Sequence, residues 1–143
     1  MKSPAAYAHV DILLIEDDPS IGVMYKLQLE HGGHRVRLVA DAQAALAQAL
    51  LALPDLILLD LRLPEEDGLS LLARLREQPS LRYVPVVMLS NYADADLLDR
   101  AAALGVCEWV LKSATPPSVI SAEAAGWARA GVPPRPGGVS VTA

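Results

Sequence analysis

The feature that most constrains this chain is a set of short apolar runs that each stop at a polar residue. Residues 10–15 (VDILLI) end at Glu16, Asp17 and Asp18, residues 56–59 (LILL) at Asp60, residues 84–89 (VPVVML) at Ser90, and residues 107–111 (CEWVL) at Lys112. Runs this short and this continuously apolar read as strands buried on both faces, the pattern of a parallel sheet sandwiched between helices. Residues 35–38 (RVRL) instead alternate charged with apolar side chains, so that strand has one wet face and belongs at a sheet edge. Helical stretches fill the intervals. Asp18-Pro19-Ser20 opens the first and Gly32-Gly33 closes it; Asp41 opens an alanine-rich one that ends before Pro54. A turn-rich loop, residues 63–68, leads into the third, and the fourth spans Asp94 to Leu104 and is stopped by Gly105. Thr115-Pro116 opens the last, which runs to about residue 130.

Five alternating strand and helix units predict an α/β fold: a doubly wound five-stranded parallel sheet, flavodoxin-like (βα)5, with strand order 2-1-3-4-5. That order puts the alternating second strand at an edge and sets strands one and three side by side. With 143 residues, 52% of them hydrophobic, the chain has material for one core. Residues 1–9 read as an N-terminal extension, 10–130 as the domain, and 131–143 (GVPPRPGGVSVTA) as a disordered tail. The formal charge of −5 argues against a nucleic-acid surface. The single cysteine, Cys107, fits a reducing compartment. No signal-like or membrane-spanning run is visible, so a cytoplasmic location is expected.

Ligands of such sheets bind beyond the carboxyl ends of the strands, and here those ends carry Glu16, Asp17, Asp60, Ser90 and Lys112. Carboxylates gathered at one rim repel one another unless a proton or a cation intervenes, and an oxygen-only set suits a hard cation such as Mg2+. With the metal on Asp17 and Asp60, the free oxygen of Asp60 can attack a phosphoryl group and form an aspartyl phosphate. Lys112 and the Ser90 hydroxyl are suited to contact phosphate oxygens. Each residue alone has a blander reading. An acid after a strand often caps the next helix, which is the assignment for Asp18, while a lone Lys is usually solvated and a lone Ser usually satisfies its own loop. His9, His31 and His34 share no metal-ligand spacing and read as surface residues. Trp109 reads as a half-buried aromatic on an edge strand.

Four segments, ILLIEDDP at 12–19, LILLDLRLPEEDG at 56–68, VVMLSN at 86–91 and LGVCEWVLK at 104–112, resemble the two-component response-regulator receiver domain, the CheY-like family, over about residues 10–130. The resemblance implies that Asp60 is the phosphoacceptor and that Asp17 is a ligand of Mg2+ or Mn2+. It further implies that Glu16 assists through water and that the backbone carbonyl of Arg62 is a third ligand. Ser90 would reorient toward the aspartyl phosphate, Lys112 would contact it, and Trp109 would hold the position of the aromatic switch residue. The donor would be a sensor histidine kinase or a histidine phosphotransfer protein. The output would be a conformational change on the surface of helix four, strand five and helix five, offered to a downstream protein. On this reading the chain is a stand-alone signalling protein, not an enzyme beyond self-phosphorylation and self-dephosphorylation.

Three positions depart from the family pattern: Ser113 stands where a proline usually follows the lysine in a cis peptide, Asn91 replaces a small residue, and Trp109 is bulkier than Tyr or Phe. A cis Lys-Ser bond would cost about 3–4 kcal/mol. Rival readings are weaker. A flavin-binding domain would not put three acids in its phosphate loop, and a haloacid-dehalogenase-type phosphatase needs an Asp where this chain has Arg62. The serious alternative is a phosphorylation-independent interaction module with a receiver fold.

Overall fold

A computed structural model describes residues 9–131 and 138–143. Strand β1 (Asp11–Ile15), helix α1 (Pro19–His31), β2 (Arg35–Val39), α2 (Ala42–Leu51), β3 (Leu56–Asp60) and α3 (Gly68–Glu77) make up the first half. Strand β4 (Val86–Ser90), α4 (Ala95–Ala103), β5 (Glu108–Leu111), α5 (Pro117–Ala130) and a short β6 (Val141–Thr142) complete it. Among the described residues the strands of the sheet pair in parallel, in the order β2-β1-β3-β4-β5-β6.

Alternate residues of each strand feed two separate cores, as the two-residue period requires. Leu13, Ile15, Ile57, Leu59, Val86, Met88 and Trp109 join α2, α3 and α4 on one face. Ile12, Leu14, Leu56, Leu58, Val87, Leu89 and Val110 join α1 and α5 on the other. Both faces being covered, β3 and β4 are buried at every position, which is why they carry continuous apolar runs. Strand β2 sits at the edge with no fully buried residue, and its Arg37 turns its guanidinium onto the carbonyls of Gln48 and Ala52 at the end of α2, each at 2.6 Å.

The helix starts follow from single side chains. Asp18 accepts from the amides of Ser20 and Ile21, Asp41 from Ala44, Asp67 from Ser70 and Asp94 from Leu97. Helix α5 differs: no side chain caps it, and Thr115 is buried with its hydroxyl turned to the carbonyl of Thr142 at 3.4 Å.

Four expectations need correction. Residues 138–143 are not a disordered tail: Val141–Thr142 pair with β5 as a sixth strand, while 132–137 and the first eight residues of the N-terminal extension lie outside the described residues. The sheet therefore has six strands, and β5 is not its edge. Trp109, expected to be half-buried, has no exposed surface, because β6 covers the flank of its strand and its ring lies in the α2–α4 core. His34 is not on the surface. It is 5% exposed, its Nδ1 accepts from the Val10 amide at 3.2 Å and its Nε2 meets the Ser121 carbonyl at 2.9 Å, tying β1 and α5 together at the foot of α1.

Candidate functional site

The parallel register brings the strand ends level. Ile15 pairs with Leu59, Asp60 with Leu89 and Ser90 with Leu111, so the residue after β1, the last residues of β3 and β4 and the residue after β5 open on one rim of the sheet. At that rim carboxylate oxygens of Glu16, Asp17 and Asp60 lie within 4.8 Å of one another. Glu16 and Asp60 are buried at 3% and 5% exposure, whereas Asp17 is open to solvent.

Lys112 reaches into this cluster from the end of β5. Its Nζ donates to Glu16 Oε1 at 2.9 Å and to Asp60 Oδ1 at 3.2 Å, with the ammonium side chain only 11% exposed. Burial works against the charged lysine, but the hydrogen bond to Glu16 and the charge of Asp60 outweigh it and hold its pKa above the ordinary value. Glu16 goes the other way. Its burial, its contact with Asp60 and the like charge there push its carboxyl up to about 7. One lysine does not neutralise three acids, and Glu16 Oε2 remains buried with no hydrogen-bond partner among the described residues. The donor set is oxygen only, one carboxylate is exposed and one buried oxygen is unpaired, so the residues present fit a hard divalent cation.

The loop from β3 to α3 is held tightly beneath this cluster. Arg62 and Asp67 form an antiparallel bridge, and the Gly68 amide donates to the Leu61 carbonyl at 2.7 Å. A Cβ at Gly68 would stand 2.3 Å from the carbonyl oxygen of Asp60, so only glycine lets α3 begin this close to the acceptor's own backbone. Asp67 also receives both terminal nitrogens of Arg100 from α4, at 3.1 and 3.2 Å. Burial opposes ionisation of Asp67, but this guanidinium and the Ser70 amide outweigh it and keep its pKa below the usual carboxylate value. A cleft of about 410 Å3, lined in part by Arg62, Asp67, Tyr92 and Leu97, opens beside the cluster.

Ser90 ends β4 with its hydroxyl buried, accepting from the Tyr92 amide at 3.2 Å. The Tyr92 carbonyl in turn accepts from the Trp109 indole at 3.1 Å. Ser90 and Trp109 are thus connected through one residue of the intervening loop. After Lys112 the chain does not use a cis peptide: none occurs among the described residues, and Lys112–Ala114 forms a turn of 3-10 helix. Of the residues singled out in the sequence, Glu16, Asp17, Asp60 and Lys112 meet at this rim, Ser90 ends the neighbouring strand, and Trp109 lies deeper in β5 and reaches Ser90 only through Tyr92. Sequence reasoning missed the Asp67–Arg100 pair, the closeness of Gly68 to Asp60 and the role of Tyr92. Only the glycine after Asp67 could have signalled any of them.

A family model for the response regulator receiver domain matches residues 12–123. Among curated proteins the chain is 35% identical over 115 residues to an uncharacterized 14.6 kDa protein of Leptolyngbya boryana, covering 79% of this chain and 86% of that one. It is 29% identical over 110 residues to the phosphate regulon transcriptional regulatory protein PhoB of Rhizobium meliloti, covering 77% of this chain and 48% of that regulator's length. Among solved structures, the chemotaxis protein CheY4 of Vibrio cholerae has 27% identity and a TM-score of 0.74, covering 79% of this chain and 93% of its own. The Mn2+-bound form of response regulator Rcp1 has 29% identity and a TM-score of 0.67, covering 77% and 86%. Receiver domains of this kind bind a divalent metal and meet histidine kinases or phosphotransfer proteins, and the matched span includes all the residues of the acidic rim. The chain belongs to the response regulator receiver domain family of two-component systems.

Proposed function

We propose that Asp60 accepts a phosphoryl group from a phosphohistidine, on a sensor kinase or a phosphotransfer protein, in a reaction that requires Mg2+ or Mn2+. The observation that carries this is the placement of Asp60: a buried carboxylate at a strand end, 3.2 Å from a lysine ammonium and beside two further carboxylates. An Asp60 oxygen attacks phosphorus, the bond from phosphorus to the donor nitrogen breaks, and the electron pair leaves with the imidazole. Glu16, Asp17, Asp60 and the Arg62 carbonyl are the groups that would hold the cation. The chemistry a bound cation supplies is neutralisation of the charge that builds on the phosphoryl oxygens.

Lys112 already touches Asp60 and needs only a small movement of its flexible stem to meet a phosphoryl oxygen. The Ser90 hydroxyl can release the Tyr92 amide and donate to another. That exchange would pull on the Tyr92 backbone and so on the Trp109 indole, and it offers a route from the site toward α4 and β5. On this reading the protein is a phosphoacceptor and not an enzyme acting on a separate substrate.

Intact-protein mass after incubation with acetyl phosphate and Mg2+ tests the proposal. Wild type gains one phosphoryl group, while Asp60→Asn and a metal-free control gain none. The absence of any gain, with phosphorylated kinases also tried as donors, would instead support the phosphorylation-independent interaction module.

A further inference from the structure

The sixth strand is held in an unusual way. Val141 and Thr142 pair with Trp109 and Val110, and the Trp109 amide donates to the Ser140 carbonyl at 3.0 Å. Ser140 and Thr142, two residues apart and hence on one face, both donate their hydroxyls to Glu108, one to each carboxylate oxygen. Val139 on the opposite face packs against the α2–α4 core. Glu108 is 9% exposed in this arrangement. A glutamate is a poor choice for a strand position, and here its two oxygens select a segment with hydroxyls at alternate positions.

The same pairing is shallow. The ladder is two residues long, no strand pairs with the outer edge of β6 among the described residues, and Ser140, Val141 and Ala143 are exposed. Selective side-chain contacts on so small a ladder describe a recognised peptide more than an integral strand.

We infer that the edge of β5 is a docking surface for an extended segment carrying hydroxyl side chains two residues apart, and that residues 138–143 occupy it in cis as a displaceable strap. This surface adjoins the face of α4, β5 and α5 through which a receiver is expected to signal, so the consequence for output rests on the reading above. With the strap seated, the edge is closed to another protein's strand. With it released, the edge offers Glu108 and the free Trp109 amide to one.

Amide hydrogen exchange and NMR titration test this without any phosphoryl chemistry, so their outcome is independent of whether Asp60 is modified. In wild type, the Trp109 amide is expected to exchange at least about 100-fold faster than the Leu61 amide, which bonds to Leu89 between β3 and β4. Ser140→Asp/Thr142→Asp, which sets like charge against Glu108, should abolish the remaining Trp109 protection and leave Leu61 unchanged. The 15N-labelled double variant titrated with the peptide Gly-Gly-Val-Ser-Val-Thr-Ala should show shifts confined to β5 and its flanking helices. The response should be at least tenfold weaker in wild type, and Glu108→Ala added to the double variant should remove it. Equal exchange of Trp109 and Leu61 in wild type would overturn the inference, as would a double variant that stays folded and ignores the peptide. A global loss of protection in the double variant would show an integral strand and would overturn it equally.

Discussion

Glu16 and Asp60 share one ammonium, that of Lys112, at 2.9 and 3.2 Å. Because burial and Asp60 raise the Glu16 carboxyl to about 7 from an ordinary 4.5, the fold prefers it protonated when no metal is bound. Its contribution to stability is fully present below the ordinary value and is lost as pH rises through the folded one. The urea midpoint of metal-free protein should therefore fall between about pH 5 and about pH 8, and Glu16→Gln should flatten that slope. A cation replaces the missing proton, so Mg2+ should raise the midpoint more at the alkaline end. Lys112→Met removes the cation between two buried carboxylates and should destabilise the metal-free protein by about 3 kcal/mol, with Mg2+ restoring part of it in thermal melts. The positions of these residues were legible because each terminates an apolar run. Their pairing was not, since Lys112 and Glu16 lie 96 residues apart and the sequence does not record which acid a lysine will choose.

At the scale of elements, the start of α3 is tightly constrained by the backbone of Asp60. Gly68→Ala would force the helix away from the Asp60 carbonyl, and denaturant unfolding should register a loss of about 1–3 kcal/mol. The same substitution should slow the mass gain from acetyl phosphate, because the displaced backbone carries the acceptor. His34→Ala would leave the Val10 amide and the Ser121 carbonyl without their partner, and unfolding should show a cost of about 2 kcal/mol with the site chemistry intact. Helix starts at Asp18 and Asp41 were legible because an N-cap is a local device, whereas Asp94, expected to be the first residue of its helix, is the cap before it. His34 was misread as exposed for the converse reason: its partners are a strand entry and a helix from the far end of the chain. Thr115 stands just before α5 without capping it, its hydroxyl being taken by the last strand.

Across the whole molecule, the two-core architecture followed from strand composition alone, since an apolar residue at every position demands cover on both faces. The last strand did not. Residues 138–143 carry no apolar run, and their pairing depends on a glutamate that looks out of place until the hydroxyls of Ser140 and Thr142 are set beside it. Composition marks a segment as unable to form its own core, but it cannot tell whether an existing sheet has an edge to lend it.

The wholly buried Trp109, one of two tryptophans in the chain, also makes the molecule its own optical instrument. Its indole is tethered to the backbone loop that contacts Ser90, so a change in that hydroxyl's partner alters the local field on the ring. Emission from Trp109, isolated by replacing Trp127 with Phe, should change in colour or intensity when beryllofluoride and Mg2+ are added and should stay fixed in Asp60→Asn. Occupancy of the acceptor could then be followed in real time, without label, antibody or radioisotope.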